Sequence, residues 1–352
     1  MEREGLGLYQ VTSDERRVAN SDIRHSSLVT RHSSLVIVRT YLTRRLLQAV
    51  PLLIGLAVIS FLFMQAMPGG PETMLARNSR MSAEQLAVVR RSMGIDQPVI
   101  VQLGKWLLNL VQGDLGLSFK EFRPVVTIIG ERILPTLRLV GVALGMSLVL
   151  AVLIGLLSAV KRYSAFDYAV TALSYIGLAM PVFWVALMLQ LLFALYLGWL
   201  PSADMNSGEG GFGNSLWHLI LPATTLAIGT IASWSRYVRG SMIEILSQDF
   251  VRTARAKGLA QTQTVLRHAF RNALIPFVTV VALDLPFYLT GTVLVESVFN
   301  WPGLGGLFFT SLRSRDYPVL MGLLAYSAVL IIAFNLIADL LYAWLDPRIK
   351  YK

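Results

Sequence analysis

Long stretches without any charged residue constrain this chain more than any other feature of its sequence. Residues 46–67 and 139–160 contain no Asp, Glu, Lys or Arg. A helix needs about 20 apolar residues to cross the hydrocarbon core of a bilayer, and both stretches are long enough. Only 15% of all residues are charged and the mean hydropathy is +0.59, whereas soluble domains carry about 25% charged residues. The sequence therefore predicts an integral membrane protein, not a soluble enzyme or a nucleic-acid-binding protein.

Six apolar stretches predict an all-α protein with six transmembrane helices. The other four stretches are residues 169–201, 219–235, 274–299 and 319–345. As one helix, residues 169–201 would be about 50 Å long. That is too long for an upright span, yet the stretch is too short for two spans and a turn. We therefore expect a single tilted helix that is kinked at Pro181.

The basic residues predict which loops face the cytoplasm. Lys and Arg are concentrated in residues 1–45, 161–167 and 238–273 and in the C-terminal tail, whereas residues 202–217 contain none. Basic loops remain on the cytoplasmic side, and with six spans all of these segments fall on one side. We therefore expect both termini to be cytoplasmic. Residues 68–135 are the basic exception, but long loops are translocated largely regardless of charge.

The chain divides into three predicted regions. Residues 1–40 contain an immediate repeat, Arg-His-Ser-Ser-Leu-Val-Thr followed by Arg-His-Ser-Ser-Leu-Val-Ile, and we expect a disordered extension or an over-extended reading frame. Residues 41–135 hold the first span and a large extracytoplasmic loop. Residues 136–352 form the core of five transmembrane helices, with a cytoplasmic loop at 238–273.

The large outer loop is expected to be folded. Ser82 and Gln85 have the spacing of a capping box, in which two side chains satisfy the free backbone amides at a helix start. Residues 99–111 predict a second helix. Together the two segments predict a small packed cap on the outer face.

Within the predicted spans, the acidic residues are the most costly. A carboxylate near the bilayer centre costs about 2.5–3.5 kcal/mol on insertion scales, so it should face a cavity or a partner. Asp284 lies well inside the fifth span beside Pro286, which loosens the helix locally. It could line a transport pathway or bind a neighbouring helix, and the sequence leaves both possibilities open. Glu296 and Asp339 lie nearer the span ends, where an interfacial or inter-helix bond is the better expectation.

Gly141 and Gly145 in the second span have the G-x-x-x-G spacing. Small residues at this spacing let two membrane helices approach closely. Such pairs are also common by chance in membrane helices. The sequence leaves the packing motif and the chance pair equally open.

The cytoplasmic stretch at residues 247–259 is the most informative segment. Asp249 predicts a helix N-cap, Lys257 suits the helix C-terminus, and Gly258 can supply a left-handed stop. The expected helix is about nine residues long, with Ala254 and Ala256 among projecting basic side chains. It could dock into a groove on another protein or lie on anionic lipid.

Nucleotide and metal motifs are missing from the sequence. No G-x-x-x-x-G-K-[ST] loop occurs, so the chain is not expected to bind ATP in that way. Residues 208–213 match G-x-G-x-x-G, but they neither follow a strand nor open a helix. There is no cysteine, and the four histidines have no ligand spacing. We therefore expect no metal, no cofactor and no catalytic residue in this chain.

Several motifs resemble one transporter family. The stretch at residues 249–258, with Asn-Ala-Leu-Ile-Pro at 272–276, resembles the cytoplasmic signature loop of binding-protein-dependent ABC transporter permeases. The chain is similar to the first-subunit (B-type) branch of the dipeptide/oligopeptide/nickel family from about residue 41 to 351. Further similar motifs are Pro-Gly-Gly-Pro at 68–71, Gly-Asp-Leu-Gly at 113–116, Pro-Val-Phe-Trp at 181–184, Asn-Trp-Pro-Gly-Leu-Gly at 300–305 and Arg-Asp-Tyr-Pro at 315–318.

This resemblance implies a type I ABC importer permease in the bacterial cytoplasmic membrane. Its partners would be a second homologous permease, two ATP-binding subunits that hold ATP and Mg, an extracytoplasmic solute-binding protein and membrane lipid, with no nucleic acid. The chain itself would not be an enzyme. It would move a small peptide, nickel or a related solute by alternating access. The implied ATPase-coupling residues are Asp249, Phe250, Arg252, Thr253, Ala254, Arg255, Ala256, Lys257 and Gly258.

Two other functions remain as alternatives. A proton-coupled secondary transporter would use Asp284 and need no ATPase. A membrane scaffold would transport nothing. Neighbouring genes for a P-loop ATPase and a secreted or lipidated binding protein would favour the importer.

Overall fold

The structure is a computed structural model that describes residues 43–45, 47–66, 84, 91, 96–205 and 212–345. By internal contacts the chain divides into residues 1–51 with 347–352, and residues 52–346. In the first unit the described residues are all helical. The expected extension at 1–40 and the capping box at Ser82 lie outside the described residues, as does most of the 208–213 loop.

The described residues are almost entirely helical, which confirms the predicted all-α class. The helices are α1 (Thr43–Ala66), α2 (Val99–Val111), α3 (Val125–Val160), α4 (Ala165–Ala179), α5 (Val182–Leu189), α6 (Phe212–Leu246), α7 (Asp249–Ala256), α8 (Phe270–Val298), α9 (Leu304–Ser314) and α10 (Tyr317–Leu345). Two π-helical turns adjoin them: Gln190–Tyr196 continues α5, and Thr264–Ala269 leads into α8 after the short helical segment Gln261–Gln263.

Among the residues that the structure describes, four helices are long and apolar enough to cross a membrane, namely α1, α3, α6 and α10. Two bent pairs add up to two more spans: α4 with α5 and its π-helical turn, and the helical segment from Gln261 with the first part of α8. The predicted count of six therefore holds if each bent pair crosses the membrane once. The predicted outer-loop helix at 99–111 is confirmed with the same bounds as α2.

The third predicted span differs from a kinked helix. The axes of the two helical parts, Ala165–Ala179 and Val182–Tyr196, form an angle of 109°. Met180 and Pro181 both have extended backbone, with ψ of 130° and 136°. The residue before a proline avoids helical dihedrals, and here the proline itself is extended as well. Two consecutive extended residues redirect the chain, so the prediction of a single tilted helix with a kink is wrong.

The two longest helices, α3 and α6, pack along each other and form the centre of the bundle. Leu139 and Ala143 of α3 and Trp234 and Val238 of α6 are buried in one apolar cluster. α3 begins at Val125 and runs without interruption through Pro135, so the boundary placed between residues 135 and 136 lies inside one helix.

A buried carboxylate fixes the loop before α3 to the turn between α9 and α10. Asp316 is 2% exposed. It accepts hydrogen bonds from the Ser118 hydroxyl and from the backbone amides of Phe119 (3.0 Å) and Lys120 (3.3 Å). The last residues of the outer loop are thereby tied to a turn almost 200 positions later in the chain.

Candidate functional site

The predicted coupling segment forms a short helix, α7, between the long helices α6 and α8. It contains eight residues, close to the nine expected. The N-cap is Gln248, with extended backbone, and its side chain makes no capping bond. Asp249 is instead the first helical residue, so its prediction as the N-cap is wrong. Its carboxylate still lies in the first turn, where negative charge interacts favourably with the helix dipole.

Gly258 terminates α7 as the sequence predicts. Its φ is +79°, in the left-handed region that glycine adopts without strain. The Gly258 amide donates to the Arg255 carbonyl (2.9 Å), and the Leu259 amide donates to the Ala254 carbonyl (3.4 Å). This pair of bonds is a Schellman motif, which satisfies the last carbonyls of a helix and stops it sharply. α7 is therefore a short helix with a defined end, and it does not continue into the segment that follows.

The two faces of α7 are chemically distinct. Val251 and Ala254 are buried, at 0% and 7% exposure. Ala254, one of the implied coupling residues, thus faces the protein, whereas Ala256 is exposed. The exposed positions are Asp249, Phe250, Arg252, Thr253, Arg255 and Ala256, followed by Lys257 and Gly258. At 3.6 residues per turn, the small residues Thr253 and Ala256 lie opposite the buried pair, with Arg252 and Arg255 on one side of them and Phe250 on the other.

α7 is connected mechanically to the membrane helices. It contacts the π-helical turn Thr264–Ala269, and that turn contacts α6 and leads into α8. Val265 and Ala269 of the turn are buried in the same apolar cluster as Val238 and Met242 of α6. α7 is therefore linked to α6 and α8 through this packed turn.

A buried ion pair joins α4 to the same end of α6, and sequence analysis missed it. The guanidinium of Arg239 donates two hydrogen bonds to the Asp167 carboxylate, at 2.6 and 2.8 Å. Asp167 is 2% exposed and also accepts from the Ser158 hydroxyl and the Tyr163 amide (2.9 Å). A local sequence signal existed, since Ser164 caps α4 three residues before Asp167. The choice of Arg239 as partner could not be read from it.

Asp284, the candidate pathway residue, binds a neighbouring helix. Its carboxylate accepts a hydrogen bond from the indole nitrogen of Trp234 at 2.7 Å. Trp234 is fully buried and packs edge-on against Phe277. Pro286 is half-buried within α8, which continues past it to Val298. Of the two possibilities that the sequence left open for Asp284, the structure shows the inter-helix bond.

Glu296 is also bound between helices, as expected for an acid near a span end. It is fully buried and accepts hydrogen bonds from the Thr136 hydroxyl (2.7 Å) and the amides of Gly305 (2.6 Å) and Gly306 (3.2 Å). Asp339 is half-buried on α10. No cluster of three or more His, Cys, Asp or Glu that could hold a metal ion occurs among the described residues.

Comparison with known proteins places these features in one family. Residues 151–351 match the family model described as "Binding-protein-dependent transport system inner membrane component". Residues 38–140 match the model for the N-terminal part of such membrane components. The first match covers more than half of the chain and includes α7, Asp284 and Glu296.

Full-length relatives agree. The oligopeptide transport system permease protein AppB of Bacillus subtilis (strain 168) is 42% identical over 314 residues, which cover 88% of this chain and 99% of AppB. The glutathione transport system permease protein GsiC of Salmonella paratyphi A (strain ATCC 9150 / SARB42) is 38% identical over 312 residues, or 89% and 99% of the two chains.

A solved structure supports the fold. The inward-facing MetNI methionine ABC transporter has a chain with a TM-score of 0.52 and 16% identity, and the match covers 62% of this chain and 96% of that one. The fold is thus that of an ABC importer permease. Such a chain is not an enzyme, because in these transporters a separate subunit is the ATPase. This chain therefore belongs to the family of binding-protein-dependent transport system inner membrane components.

Proposed function

We propose that this chain is one permease of an ATP-driven importer that carries a small peptide across the bacterial cytoplasmic membrane. The cargo class is supported by the names of the relatives, which describe an oligopeptide permease and a glutathione permease. Nickel or a related solute is the alternative cargo. Selectivity among such solutes belongs mainly to the extracytoplasmic binding protein.

The geometry of α7 carries this proposal. This short helix between α6 and α8 has Val251 and Ala254 turned inward, and the small residues Thr253 and Ala256 lie at the centre of an exposed face on which Phe250 is the single large apolar side chain. Small exposed residues allow another protein to approach the backbone closely, and the flanking Arg252 and Arg255 supply charge around that contact. An interfacial helix on lipid would instead turn a large apolar face outward. α7 therefore suits a groove on a protein partner better than a lipid surface.

The proposed assembly contains four kinds of partner beyond this chain. A second homologous permease completes the pathway, and two ATP-binding subunits below each receive one coupling helix. The binding protein delivers cargo from the outside, and lipid surrounds the spans. ATP and Mg are held by the ATP-binding subunits, since the sequence of this chain has no P-loop. In this orientation α7 and both termini are cytoplasmic, in agreement with the basic loops.

Transport would follow alternating access. ATP binding closes the two ATPases and displaces α7 as a rigid unit, because Gly258 and the Schellman bonds stop it from unwinding into the next segment. The π-helical turn passes the displacement to α6 and α8, which opens the pathway outward. Hydrolysis returns it inward. Such a shift requires that the ATPases bind one arrangement of α7 more tightly than the other.

We expect Ala256→Trp, Arg255→Glu and Gly258→Val each to abolish ATP-driven uptake while the chain still inserts into the membrane. The Trp ring would block close approach at the exposed face, Glu would reverse the charge beside it, and Val is strained at a φ of +79°. Co-purification with the ATPases should fall at least tenfold, a change of about 1.4 kcal/mol. Uptake is measured in proteoliposomes that contain the complete transporter and its binding protein.

Ala165→Trp provides the matched control. Ala165 is an exposed alanine at the start of α4, on the same side of the membrane as α7. This variant should keep normal uptake and normal ATPase association. Undiminished uptake by the three α7 variants at normal abundance would refute the coupling role. Uptake by the permease without any ATPase would refute the importer proposal altogether.

A further inference from the structure

A cavity of about 790 Å³ lies at the end of the bundle opposite α7. Its walls come from the start of α3, the end of α8, the beginning and end of α9, and residues 204–205. With α7 on the cytoplasmic side, α8 runs outward, so this cavity opens at the outer surface. Its volume lies within the range of about 300–1,000 Å³ that small-molecule sites occupy.

The acidic groups of the cavity are already bound by the protein itself. Glu296 accepts three hydrogen bonds, from Thr136 and from two backbone amides of α9. Asp204 accepts a hydrogen bond from the side-chain amide of Asn300. Neither carboxylate is therefore available as the main partner of a bound cation.

The basic groups of the cavity, in contrast, form no salt bridge among the described residues. Arg132 of α3 is half-buried and Arg313 of α9 is exposed, and both line the cavity. Neither forms a salt bridge in the part of the chain that the structure describes. Glu131, the acid next to Arg132, is instead paired with Arg123 outside the cavity. The site thus holds two guanidinium groups without a salt bridge, although the charge of Arg132 also interacts at longer range with Glu131 and with Glu296 of the cavity.

We propose that this cavity binds the carboxylate of the cargo on the outer side of the permease, and that Arg132 and Arg313 are the residues that recognise it. A guanidinium is always charged and presents paired N–H donors that match the two oxygens of a carboxylate. Met205 and Phe309 on the walls provide apolar surface for the rest of a small peptide. This inference rests on the proposed peptide cargo, since every unblocked peptide carries a terminal carboxylate.

The cavity suits a small solute better than an acidic side chain of the docked binding protein. A single carboxylate side chain would occupy a minor part of about 790 Å³ and leave the apolar walls uncovered. A di- or tripeptide would occupy more of this volume and would place apolar side chains against these walls. The docked binding protein is therefore the competing occupant that the experiment must separate.

The test measures binding of trialanine and of its C-terminal amide to the complete transporter in nanodiscs without the binding protein. The free acid should bind at least tenfold more tightly than the amide. Arg132→Gln and Arg313→Gln should each remove most of this preference, and Arg132→Lys should retain part of it, because charge survives while the paired donors are lost. Lys105→Gln removes an exposed basic side chain from α2, outside the cavity, and should leave the preference unchanged.

Two further measurements separate this inference from the proposed function. Uptake of labelled trialanine by the wild-type system with its binding protein tests the peptide cargo alone. If trialanine is taken up but acid and amide bind alike, or if both glutamine variants keep the preference, the carboxylate site is refuted while the importer stands. If the glutamine variants weaken only the affinity for the binding protein, the cavity is a docking site and the inference is again refuted.

Discussion

At the scale of single residues, the glycines of α3 differ in how closely another helix approaches them. A Cβ added at Gly155 of α3 would lie 2.6 Å from the Ser235 carbonyl oxygen and 2.7 Å from the Val238 Cβ of α6. A Cβ at Gly141 or Gly145 would meet nothing within 4 Å in the described chain. The G-x-x-x-G spacing thus lies at Gly141 and Gly145, whereas α6 approaches α3 closely at Gly155.

We expect Gly155→Ala to destabilise the chain by about 1–3 kcal/mol, because the contacting oxygen belongs to the backbone of α6 and cannot rotate away. Gly141→Ala and Gly145→Ala should be neutral or slightly stabilising, since alanine favours a helix by about 0.5–1 kcal/mol over glycine. Thermal unfolding of the purified chain in detergent measures all three. Equal losses at the three positions would contradict the packing seen around Gly155.

At the scale of elements, the sequence predicted helices best where the local signals were sufficient. The bounds of α2 follow Pro98 and an apolar pattern with only isolated polar residues, and the end of α7 follows Gly258. The corner between α4 and α5 could not be predicted in the same way. Pro181 predicts an interruption of the helix. The angle of 109° between the two helix axes, however, depends on two successive extended residues and on the packing of both helices.

The hydrogen-bond partners on different helices could not be predicted from the sequence, for a different reason. Asp284 and Trp234 are 50 positions apart, and Asp167 and Arg239 are 72 apart. The cost of an intramembrane or buried carboxylate predicts that a partner exists. It does not select one donor among the many that other helices offer. The sequence likewise could not tell which face of α7 is buried. Ala254 and Ala256 are the same residue type, and only tertiary contacts bury one and expose the other.

The contact between the outer loop and the α9–α10 turn can be tested as a unit. Asp316→Ala removes the acceptor from the Ser118 hydroxyl and from two backbone amides. Hydrogen bonds to charged groups contribute about 1.5–3 kcal/mol each. We therefore expect the amides of Phe119 and Lys120 to exchange with solvent at least tenfold faster, as measured by hydrogen exchange with mass spectrometry.

Asp114→Ala is the control for this contact. Its exposed carboxylate accepts from the Gly116 amide in the same turn (2.9 Å) and does not reach α9 or α10. Exchange at Phe119 and Lys120 should stay within about twofold of wild type, because the lost bond is local and solvated. Slow exchange in the Asp316→Ala protein would mean that apolar packing alone, without the carboxylate, holds the loop.

At the scale of the whole molecule, the source of energy decides between an ATP-driven importer and a proton-driven carrier. In the proposed importer, work enters at α7 and passes through the π-helical turn to α6 and α8. A proton-driven carrier needs a carboxylate that gains and loses a proton during each cycle. Asp284 is the acid deepest in the predicted spans, and it holds Trp234 of α6 through one hydrogen bond.

Asp284→Asn distinguishes the two mechanisms. The asparagine side-chain oxygen can still accept the Trp234 hydrogen bond, but the residue can no longer carry a proton. We expect ATP-driven uptake in proteoliposomes to stay within about twofold of wild type and to be insensitive to a protonophore. Asp284→Leu should instead leave the buried indole nitrogen without an acceptor and lower stability by about 1–3 kcal/mol. Loss of uptake in the asparagine variant, at normal abundance and normal ATPase association, together with wild-type uptake that a protonophore abolishes, would show that Asp284 carries protons, because the two side chains differ little in shape and retain the same acceptor for Trp234.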